Sequence, residues 1–457
     1  MKKTNDFGND PVPSLVLKIS IPFMFAQFVN VLYSIVDRIY IGNILVIGDA
    51  SLAGAGVCAP IITLLSSFAT LIGIGGSVLF SMRLGSGDKE RAKTILANSF
   101  SMLLLFSAGL TVVFLLTKGY LLRWFGASDA IFPYANTYMT IYTLGTFFAL
   151  LSMGMNYFIT AQGFPGLGMA TTLIGAVVNI VLDPVFIFLF HMNIAGAALA
   201  TVLAQLCSCL FVLFTLKRKK MPIPLTLVRP DRALSRRILK MGFSPFLILA
   251  TDSVVLIALN AVLQYHGGPQ YGDMLITCST VIQSYMLLIT SPMLGITGGS
   301  QPLISFNVGA DKVARIRKIV FCVLMLCIAF TTFMFVLSRL VPRYFVRIFT
   351  SDPEAVELSV WGIKVFTLSI IPLSFQYVFV DALTAMSMTK LSLTLSLFRK
   401  GMYFAATCVI PLFFAAKAAF FAEPFADAVS FFSSSLAFFL IYKKYLRGEG
   451  RLSQMRL

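Results

Sequence analysis

The sequence predicts an all-α polytopic membrane protein with twelve transmembrane helices in two pseudo-symmetric six-helix lobes. The chain is 58% hydrophobic and only 12% charged, and its mean hydropathy is +0.87, outside the range of soluble globular proteins. Apolar runs of about 20 residues recur along it, each long enough to cross roughly 30 Å of hydrocarbon. The two halves of the chain also resemble each other in sequence.

This internal repeat is clearest in two glycine-rich segments. Residues 71–93 read LIGIGGSVLFSMRLGSGDKERAK, and residues 294–315 read LGITGGSQPLISFNVGADKVAR. At an offset of 223 residues, Gly75 falls on Gly298 without a gap, and Pro22 has its counterpart at Pro245. A duplicated hydrophobic chain is typical of secondary transporters, whose substrate binds between the halves.

The apolar runs predict the individual helices. We expect spans at residues 14–44, 51–82, 94–117, 134–161, 165–190, 193–216, 237–264, 271–306, 316–341, 355–386, 388–416 and 419–442. The first ten residues are polar and no small-residue cleavage site follows them, so we expect the first span to be retained.

These spans divide the chain into two lobes. We predict an N-terminal six-helix lobe at 1–216, a cytoplasmic basic linker at 217–236, a C-terminal six-helix lobe at 237–442 and a cytoplasmic tail at 443–457. Because six is even, both lobes enter the membrane from the same side. We therefore expect a pseudo-two-fold axis along the membrane normal, with the substrate cavity on it.

Charge predicts the orientation. If twelve spans alternate, 28 of the 36 Lys and Arg residues fall on one side, including three in the 390–400 region. The positive-inside rule then places both termini in the cytoplasm of a prokaryote, with the protein multi-pass in the plasma membrane. The net charge of +17 thus reflects the topology of the chain in the membrane. We expect the basic loops to contact membrane lipids, and no nucleic-acid partner is expected.

Motifs of catalysis and of tightly bound cofactors are missing from the sequence. The seven cysteines form no CxxC pair, the two histidines have no acidic neighbours, and no Walker A motif occurs. The glycine pair at Gly75 and Gly76 lies in an apolar run, which favours close helix packing over nucleotide binding. We expect no enzyme and no cofactor, apart from Na⁺ or H⁺ as a coupling ion.

Acidic residues inside predicted spans are the candidate functional residues. A carboxylate at the centre of a membrane helix costs about 2.5–3.5 kcal/mol on insertion scales, so it usually faces a cavity or a partner. Four acids stand in this position, and Glu423 and Asp427 fall near the start of the twelfth span. The four are Asp37, Asp183, Asp252 and Asp381. A structural hydrogen bond or a nearby base, such as Arg38 beside Asp37, is the alternative interpretation for each.

Two groups of polar residues accompany these acids. Asn179 precedes Asp183 by four residues on one helical face, and Thr201 on the next span is a further oxygen donor. These oxygens could coordinate a cation or share a proton. On the first span, Asn30, Tyr33 and Asp37 form one polar stripe, and Pro22 upstream removes a backbone hydrogen bond where the helix could bend.

The chain resembles the multidrug and toxic compound extrusion (MATE) transporters over nearly its whole length. The specific matches are Pro22 upstream of Asp37, AQG at Ala161–Gly163 and NIVLDP at Asn179–Pro184. The resemblance implies an antiporter that exports small cationic or aromatic compounds in exchange for entering Na⁺ or H⁺. Two lobes already form one cavity, so a monomer is expected.

The resemblance also implies roles for single residues. Asp37, Asn179, Asp183 and Thr201 match a cation-coupling site, which would be the metal site if the ion is Na⁺. Tyr33 and Asn156 match residues that line a drug cavity, with Asn30 on the same stripe, and Pro22 matches a hinge that couples the two sites.

The second half leaves three questions open. Asp252 and Asp381 resemble substrate-binding acids of the NorM-like branch, whereas the Asn179–Asp183–Thr201 set resembles the DinF branch. The coupling ion, its stoichiometry and the lobe that binds the substrate therefore stay open, although we expect the N-terminal lobe to couple the cation.

Two other functions compete with export. A flippase for lipid-linked precursors would need cationic residues in its cavity, and Arg38 and Lys364 are the main candidates. A non-transporting membrane sensor or channel would need neither an acid–amide pair nor a duplication. The predicted antiport mechanism is competition between substrate and ion for the carboxylates of Asp37 and Asp183.

Overall fold

A computed structural model describes most of the chain. The described residues are 6–42, 44, 47–125, 127, 129, 131–218, 221–349 and 353–446, apart from the side chains of residues 48–50, 53, 253, 254, 256, 257, 260, 261, 264, 269, 270, 272 and 273. Part of the predicted linker (219–220) and of the predicted tail (447–457) lies outside them. The described part of the chain contains helices and no strand.

The first half forms six long helices. They are α1 (Val12–Gly42), α2 (Gly48–Gly85), α3 (Lys89–Trp124), α4 (Phe132–Ala161), α5 (Pro165–Leu189) and α6 (Asn193–Lys217). In α5, Pro184 ends the regular α-helix and a π-helical turn, Val185–Leu189, completes the span. A proline cannot continue the hydrogen-bond ladder, so a change of helical form at this point is expected.

The second half also forms six long helices. They are α7 (232–267), α8 (269–309), α9 (Val313–Leu340), α10 (Pro353–Ala385), α11 (Thr389–Phe413) and α12 (Ala416–Leu446). Gly268 separates α7 from α8 with φ 71° and ψ −175°, a conformation that only glycine adopts without strain. A one-turn helix, Pro342–Val346, precedes α10.

The twelve predicted spans therefore coincide with twelve helices. Ten helices in the described ranges are long and apolar enough to cross a membrane. One of the other two, α11, carries the bases Arg399 and Lys400. They were counted above with the cytoplasmic charges, but they lie about 15 Å along α11 from its start. Both side chains are largely buried, at 13% and 9% exposure, so they carry no topology signal.

The sequence duplication is repeated in structural detail. The Cys58 thiol donates a hydrogen bond to the Ala135 carbonyl at 3.4 Å, and 220 residues later Cys278 donates to Ala355 at 3.5 Å. Left-handed turns also recur. Gly163 (φ 91°) follows α4, and its counterpart after α10 is Ser387 (φ 67°), at an offset of 224 residues. All seven cysteines are free thiols, as expected.

The chain divides into two compact units. The first unit contains Phe25–Leu249, so it includes the linker and the start of α7. The second contains Pro11–Met24 together with the chain from Ala250 onward. The helix α1 thus contributes to both units, and its division falls two residues after Pro22, although α1 is one continuous helix.

Close glycine contacts bring helices of the first unit together, as the glycine pair predicted. A Cβ added at Gly75 would collide with backbone atoms of Ile238 and Gly242, and one at Gly73 would collide with Gly154. At Gly298, the repeat counterpart of Gly75, an added Cβ would have no heavy atom within 4 Å. Close packing is therefore a property of one copy of the repeat at this position.

The described linker residues pack onto the first unit. Met221, Ile223 and Leu225 lie in a hydrophobic core with residues of α2, α3 and α4. The Ile223 amide donates to Gln162 Oε1 at 2.9 Å, which assigns the glutamine of the AQG motif a structural role. The Asp231 amide donates to Asn98 Oδ1 at 2.7 Å. The linker is thereby held to the first unit by both apolar burial and buried hydrogen bonds.

Candidate functional site

A buried acid–amide pair stands on α5. Asn179 and Asp183 are 2% and 0% exposed, and they face the same direction because they are one helical turn apart. Asn179 Nδ2 donates to Asp183 Oδ1 at 3.1 Å and approaches Thr201 Oγ1 on α6 at 3.4 Å. The predicted Asn179–Asp183–Thr201 set is therefore confirmed as a spatial group.

Asp37 completes this group from α1. Its carboxylate interacts directly with that of Asp183, within the first unit. We use the name acid–amide cluster for these four residues, Asp37, Asn179, Asp183 and Thr201. The four residues named as the cation-coupling set are therefore brought together by the fold.

Three acceptor oxygens of the acid–amide cluster have no hydrogen-bond partner although they are buried. They are Asp37 Oδ1, Asn179 Oδ1 and Asp183 Oδ2. An unsatisfied buried polar atom costs about 1–3 kcal/mol, and two adjacent ionised carboxylates also repel each other. A bound proton or a monovalent cation would relieve both costs, so this arrangement is suited to holding positive charge.

The donor set favours a monovalent cation over a divalent metal. Among the described residues there is no group of three or more His, Cys, Asp or Glu side chains that could hold a metal ion. Two carboxylates, one amide oxygen and one hydroxyl are hard oxygen donors with at most two negative charges. Na⁺ or a shared proton fits this charge.

Tyrosines surround the acid–amide cluster. Tyr33 on α1, one turn before Asp37, lies within electrostatic range of Asp37 and Asp183. Tyr138 and Tyr142 on α4 stack with ring centroids 6.3 Å apart, and Tyr138 lies beside Asp37 and Thr201. The sequence analysis missed the two α4 tyrosines. Their four-residue spacing on one helical face was the available signal.

Two other predicted residues of the first unit are held elsewhere by their hydrogen bonds. Asn30 donates to Gln27 Oε1 at 3.2 Å, and it lies two turns of α1 before Asp37. Asn156 donates to the Gly168 carbonyl at 3.2 Å. Gly168 stands about 16 Å along α5 from Asn179. A substrate-binding role for these two residues would thus involve a region separate from the acid–amide cluster.

The predicted acids of the second unit already have partners in the chain. Asp252 on α7 accepts a hydrogen bond from Lys400 Nζ on α11 at 2.5 Å, with the Asp252 side chain 56% exposed. Asp381 on α10 lies beside Thr297 and Gln301 of α8. Asp252 is thus engaged by a base that the sequence analysis had assigned to the cytoplasm.

A second charged group lies next to this bridge. Arg399 Nε donates to Asp427 Oδ1 at 2.7 Å, and Arg399 Nη2 donates to Glu423 Oε1 at 2.6 Å. We use the name ion triad for Arg399, Glu423 and Asp427. Its three side chains are 13%, 12% and 0% exposed. Sequence reasoning missed Arg399 because a base near a predicted helix start resembles an interfacial charge.

Comparison with known proteins identifies the class to which this architecture belongs. The MatE family model matches residues 22–185 and 270–409. The chain is 28% identical over 378 residues to a protein named multidrug export protein MepA from Staphylococcus saprophyticus, covering 81% of each chain. It is 25% identical over 418 residues to the MepA of Staphylococcus haemolyticus, covering 91% of this chain and 89% of that one.

Solved structures share the fold. A crystal structure of a MATE protein in complex with MaL6 superposes with a TM-score of 0.90 at 20% identity, covering 97% of this chain and 99% of that chain. The expected all-α architecture of twelve transmembrane helices is thereby confirmed. The family match spans most of the chain and includes the helices that carry Asp37, Asn179 and Asp183. This protein is a multi-pass membrane protein and belongs to the MatE family, the MATE transporters.

Proposed function

We propose that this protein is a cation-coupled antiporter that exports small cationic or aromatic compounds by alternating access. It would act in the plasma membrane of a prokaryote, with both termini in the cytoplasm. Relatives that carry the name multidrug export protein support the substrate class. The observation that carries the proposal is the acid–amide cluster, where Asp37 and Asp183 face each other with unpartnered oxygens.

The mechanism follows from the charge of the acid–amide cluster. When Asp37 and Asp183 are both ionised, their repulsion favours the conformation that admits a cationic substrate. Entry of Na⁺ or H⁺ from outside then neutralises the carboxylates, and the substrate loses its counter-charge and leaves. A ligand shifts such an equilibrium only by its differential affinity for the two conformations. The acids must therefore differ in accessibility between the two states.

Aromatic side chains support binding of cationic groups near these acids. Tyr33 and Tyr138 lie within electrostatic range of Asp37, and Tyr142 stacks on Tyr138. A cation over an aromatic face gains about 0.5–2 kcal/mol, with the larger values at desolvated sites. This interaction tolerates many shapes of substrate, which suits export of several compounds by one protein.

Export is favoured over flipping of lipid-linked precursors. A pyrophosphate headgroup needs an excess of positive charge, and Arg399 and Lys400 are the bases buried in the described part of the second unit's helices. Each of them is already bonded to a carboxylate, Lys400 to Asp252 and Arg399 to Asp427. Their positive charge is therefore compensated within the protein.

The test uses purified protein in liposomes loaded with a fluorescent cationic dye. A Na⁺ gradient and a pH gradient are imposed separately on the wild type, on Asp37→Asn and on Asp183→Asn. We expect one gradient to drive dye movement in the wild type, which names the coupling ion, and neither gradient to drive it in the two variants. Asp129→Asn is the matched control, because its 91% exposed side chain lies in a loop.

Two outcomes would contradict the proposal. Dye movement in Asp183→Asn at the wild-type rate would remove the coupling role of the acid–amide cluster. A wild type that responds to neither gradient, while folded and inserted, would favour a lipid-linked substrate or a non-transporting sensor.

A further inference from the structure

Helices α6 and α12 correspond residue by residue at an offset of 222. Four buried small residues of α6 fall on four buried small residues of α12. The pairs are Ala197 with Ala419, Ala200 with Ala422, Ala204 with Ala426, and Ser208 with Ser430. Since burial and residue type agree at four positions on one helical face, the register is well defined. At this offset, Thr201 corresponds to Glu423 and Gln205 corresponds to Asp427.

Helices α5 and α11 correspond at an offset of 224. The first residues of the two helices are 224 positions apart, and so are the last residues, since α5 spans Pro165–Leu189 and α11 spans Thr389–Phe413. The left-handed turns at Gly163 and Ser387 that precede them have the same offset. At this offset Arg399 falls on Gly175. An added Cβ at Gly175 would meet Ser208 Oγ at 2.6 Å, so a side chain there would have to displace this hydroxyl.

The ion triad thus lies next to the second unit's counterpart of the acid–amide cluster and shares one position with it, Glu423 for Thr201. Arg399 stands one helical turn before Tyr403, which is the counterpart of Asn179. In the first unit, the Asn179 amide approaches Thr201 on α6. In the second unit, the Arg399 guanidinium reaches Glu423, the counterpart of Thr201, and Asp427, one turn further. The buried oxygens of Asp37 and Asp183 are left without a hydrogen-bond partner, whereas a covalently attached cation bonds to the two carboxylates of the second unit.

The contacts of Arg399 show how its guanidinium is bound in the second unit. Arg399 makes short hydrogen bonds to two carboxylates, and Asp427 is fully buried with Oδ2 unpartnered. Lys400 bonds separately to Asp252. Loss of the guanidinium would leave two adjacent buried carboxylates without a bonded cation, with Lys400 as a positive neighbour of Glu423. Asp37 and Asp183 are in a similar electrostatic situation, with Arg38 as a positive neighbour of Asp37.

We propose that Arg399 is a tethered cation that permanently fills a cation site formed by Glu423 and Asp427, next to the second unit's counterpart of the coupling site. Only the first unit then exchanges an ion during transport, and Glu423 and Asp427 form a cation site that Arg399 keeps closed. This inference rests on the proposed function, because it takes the acid–amide cluster as the coupling site. Its direct consequence is that removal of the guanidinium opens a second site for Na⁺ or H⁺.

The experiment counts cations bound to the full-length protein in lipid nanodiscs. Asp183→Asn first removes the coupling site of the first unit. Equilibrium binding of radioactive Na⁺ and proton uptake in weakly buffered solution are then measured with and without Arg399→Gln. We expect no cation on Asp183→Asn and one cation per protein on Asp183→Asn/Arg399→Gln. Arg399→Lys in the same background is the matched control and binds none, since its ammonium keeps the positive charge.

Adding Glu423→Gln and Asp427→Asn to Asp183→Asn/Arg399→Gln should abolish the gained binding. The proposal is overturned if Asp183→Asn/Arg399→Gln is folded and binds neither Na⁺ nor a proton. It is also overturned if Asp183→Asn alone binds a cation that Glu423→Gln removes.

Instability of Arg399→Gln would itself be informative. Rescue of its folding by Glu423→Gln/Asp427→Asn, by added Na⁺ or by acidic pH would support the tethered cation, and instability unaffected by all three would overturn it. Failure of the proposed function has a different signature, namely ion-driven export that persists in Asp183→Asn. If export is lost in that variant but Arg399→Gln gains no cation, only the tethered cation is wrong.

Discussion

The acid–amide cluster of the first unit and the ion triad of the second differ in the source of positive charge. Asp37 and Asp183 face each other and leave buried oxygens open. Glu423 and Asp427 instead bond to the guanidinium of Arg399. Buried carboxylates that are bonded to a cation of the chain have their charge compensated, whereas carboxylates that face each other repel when both are ionised. The comparison teaches that the two halves of a duplicated chain can surround buried acids with different partners.

The largest expected effect is the loss of coupling in Asp183→Asn. Ion-driven efflux of a cationic dye should fall at least about 100-fold, because the neutral amide cannot alternate between ion and substrate. Folding should be retained, since the substitution removes repulsion with Asp37. Rates in proteoliposomes and thermal unfolding in detergent measure the two effects. Unchanged efflux in Asp183→Asn would show that the acid–amide cluster of the first unit is not the coupling site.

Arg399→Leu should give the largest loss of stability. It leaves Glu423 and Asp427 buried without their cation, at a cost of about 3–5 kcal/mol in the free energy of unfolding. Arg399→Leu/Glu423→Gln/Asp427→Asn should recover most of that loss, because it removes the uncompensated charges. Denaturant unfolding in mixed micelles provides the measurement. Equal instability of both variants would mean that the triad contributes through packing and not through charge.

Alanine at one repeat position should have opposite effects in the two units. Gly75→Ala places a Cβ against the backbone of Gly242, so we expect a loss of about 1–3 kcal/mol. Gly298→Ala meets no atom within 4 Å, and the helix propensity of alanine should stabilise the helix by about 0.5–1 kcal/mol. Thermal unfolding of the two variants side by side tests this, and equal shifts would contradict it.

A smaller and substrate-dependent effect is expected from Asp252→Asn. Efflux should fall by roughly 3–10-fold for some substrates, because the amide replaces a charge-assisted hydrogen bond with a weaker one, a difference of about 0.7–1.4 kcal/mol. Only substrates that contact Asp252 should be affected. Lys400→Gln tests the same pair from the other side and should give a similar pattern. A uniform loss for every substrate would instead indicate that the Lys400–Asp252 bridge serves folding alone.

Much of the architecture could be predicted from local sequence. Twelve helices follow from apolar length, and Asn179, Asp183 and Thr201 follow from helical spacing, because both properties depend on residues near one another in the chain. Tyr138 was missed because its interaction with Asp37 involves α1, about 100 residues away in the chain, and Tyr142 was missed because it stacks on Tyr138. Arg399 and Lys400 were placed in the cytoplasm because charge alone does not report whether a base has a buried partner.

The sequence by itself determined that this chain crosses the membrane repeatedly, that it is duplicated, and that it places acids within helices. The tertiary structure alone decided the partner of each acid. Asp252 is bonded to Lys400, 148 residues away, and Asp37 meets Asp183 from another helix. Hydropathy is a sum over neighbouring residues, whereas the protonation and ion binding of a carboxylate depend on charges brought near it by folding. For that reason one acid pair keeps buried oxygens without a partner, whereas the other is bonded to an arginine.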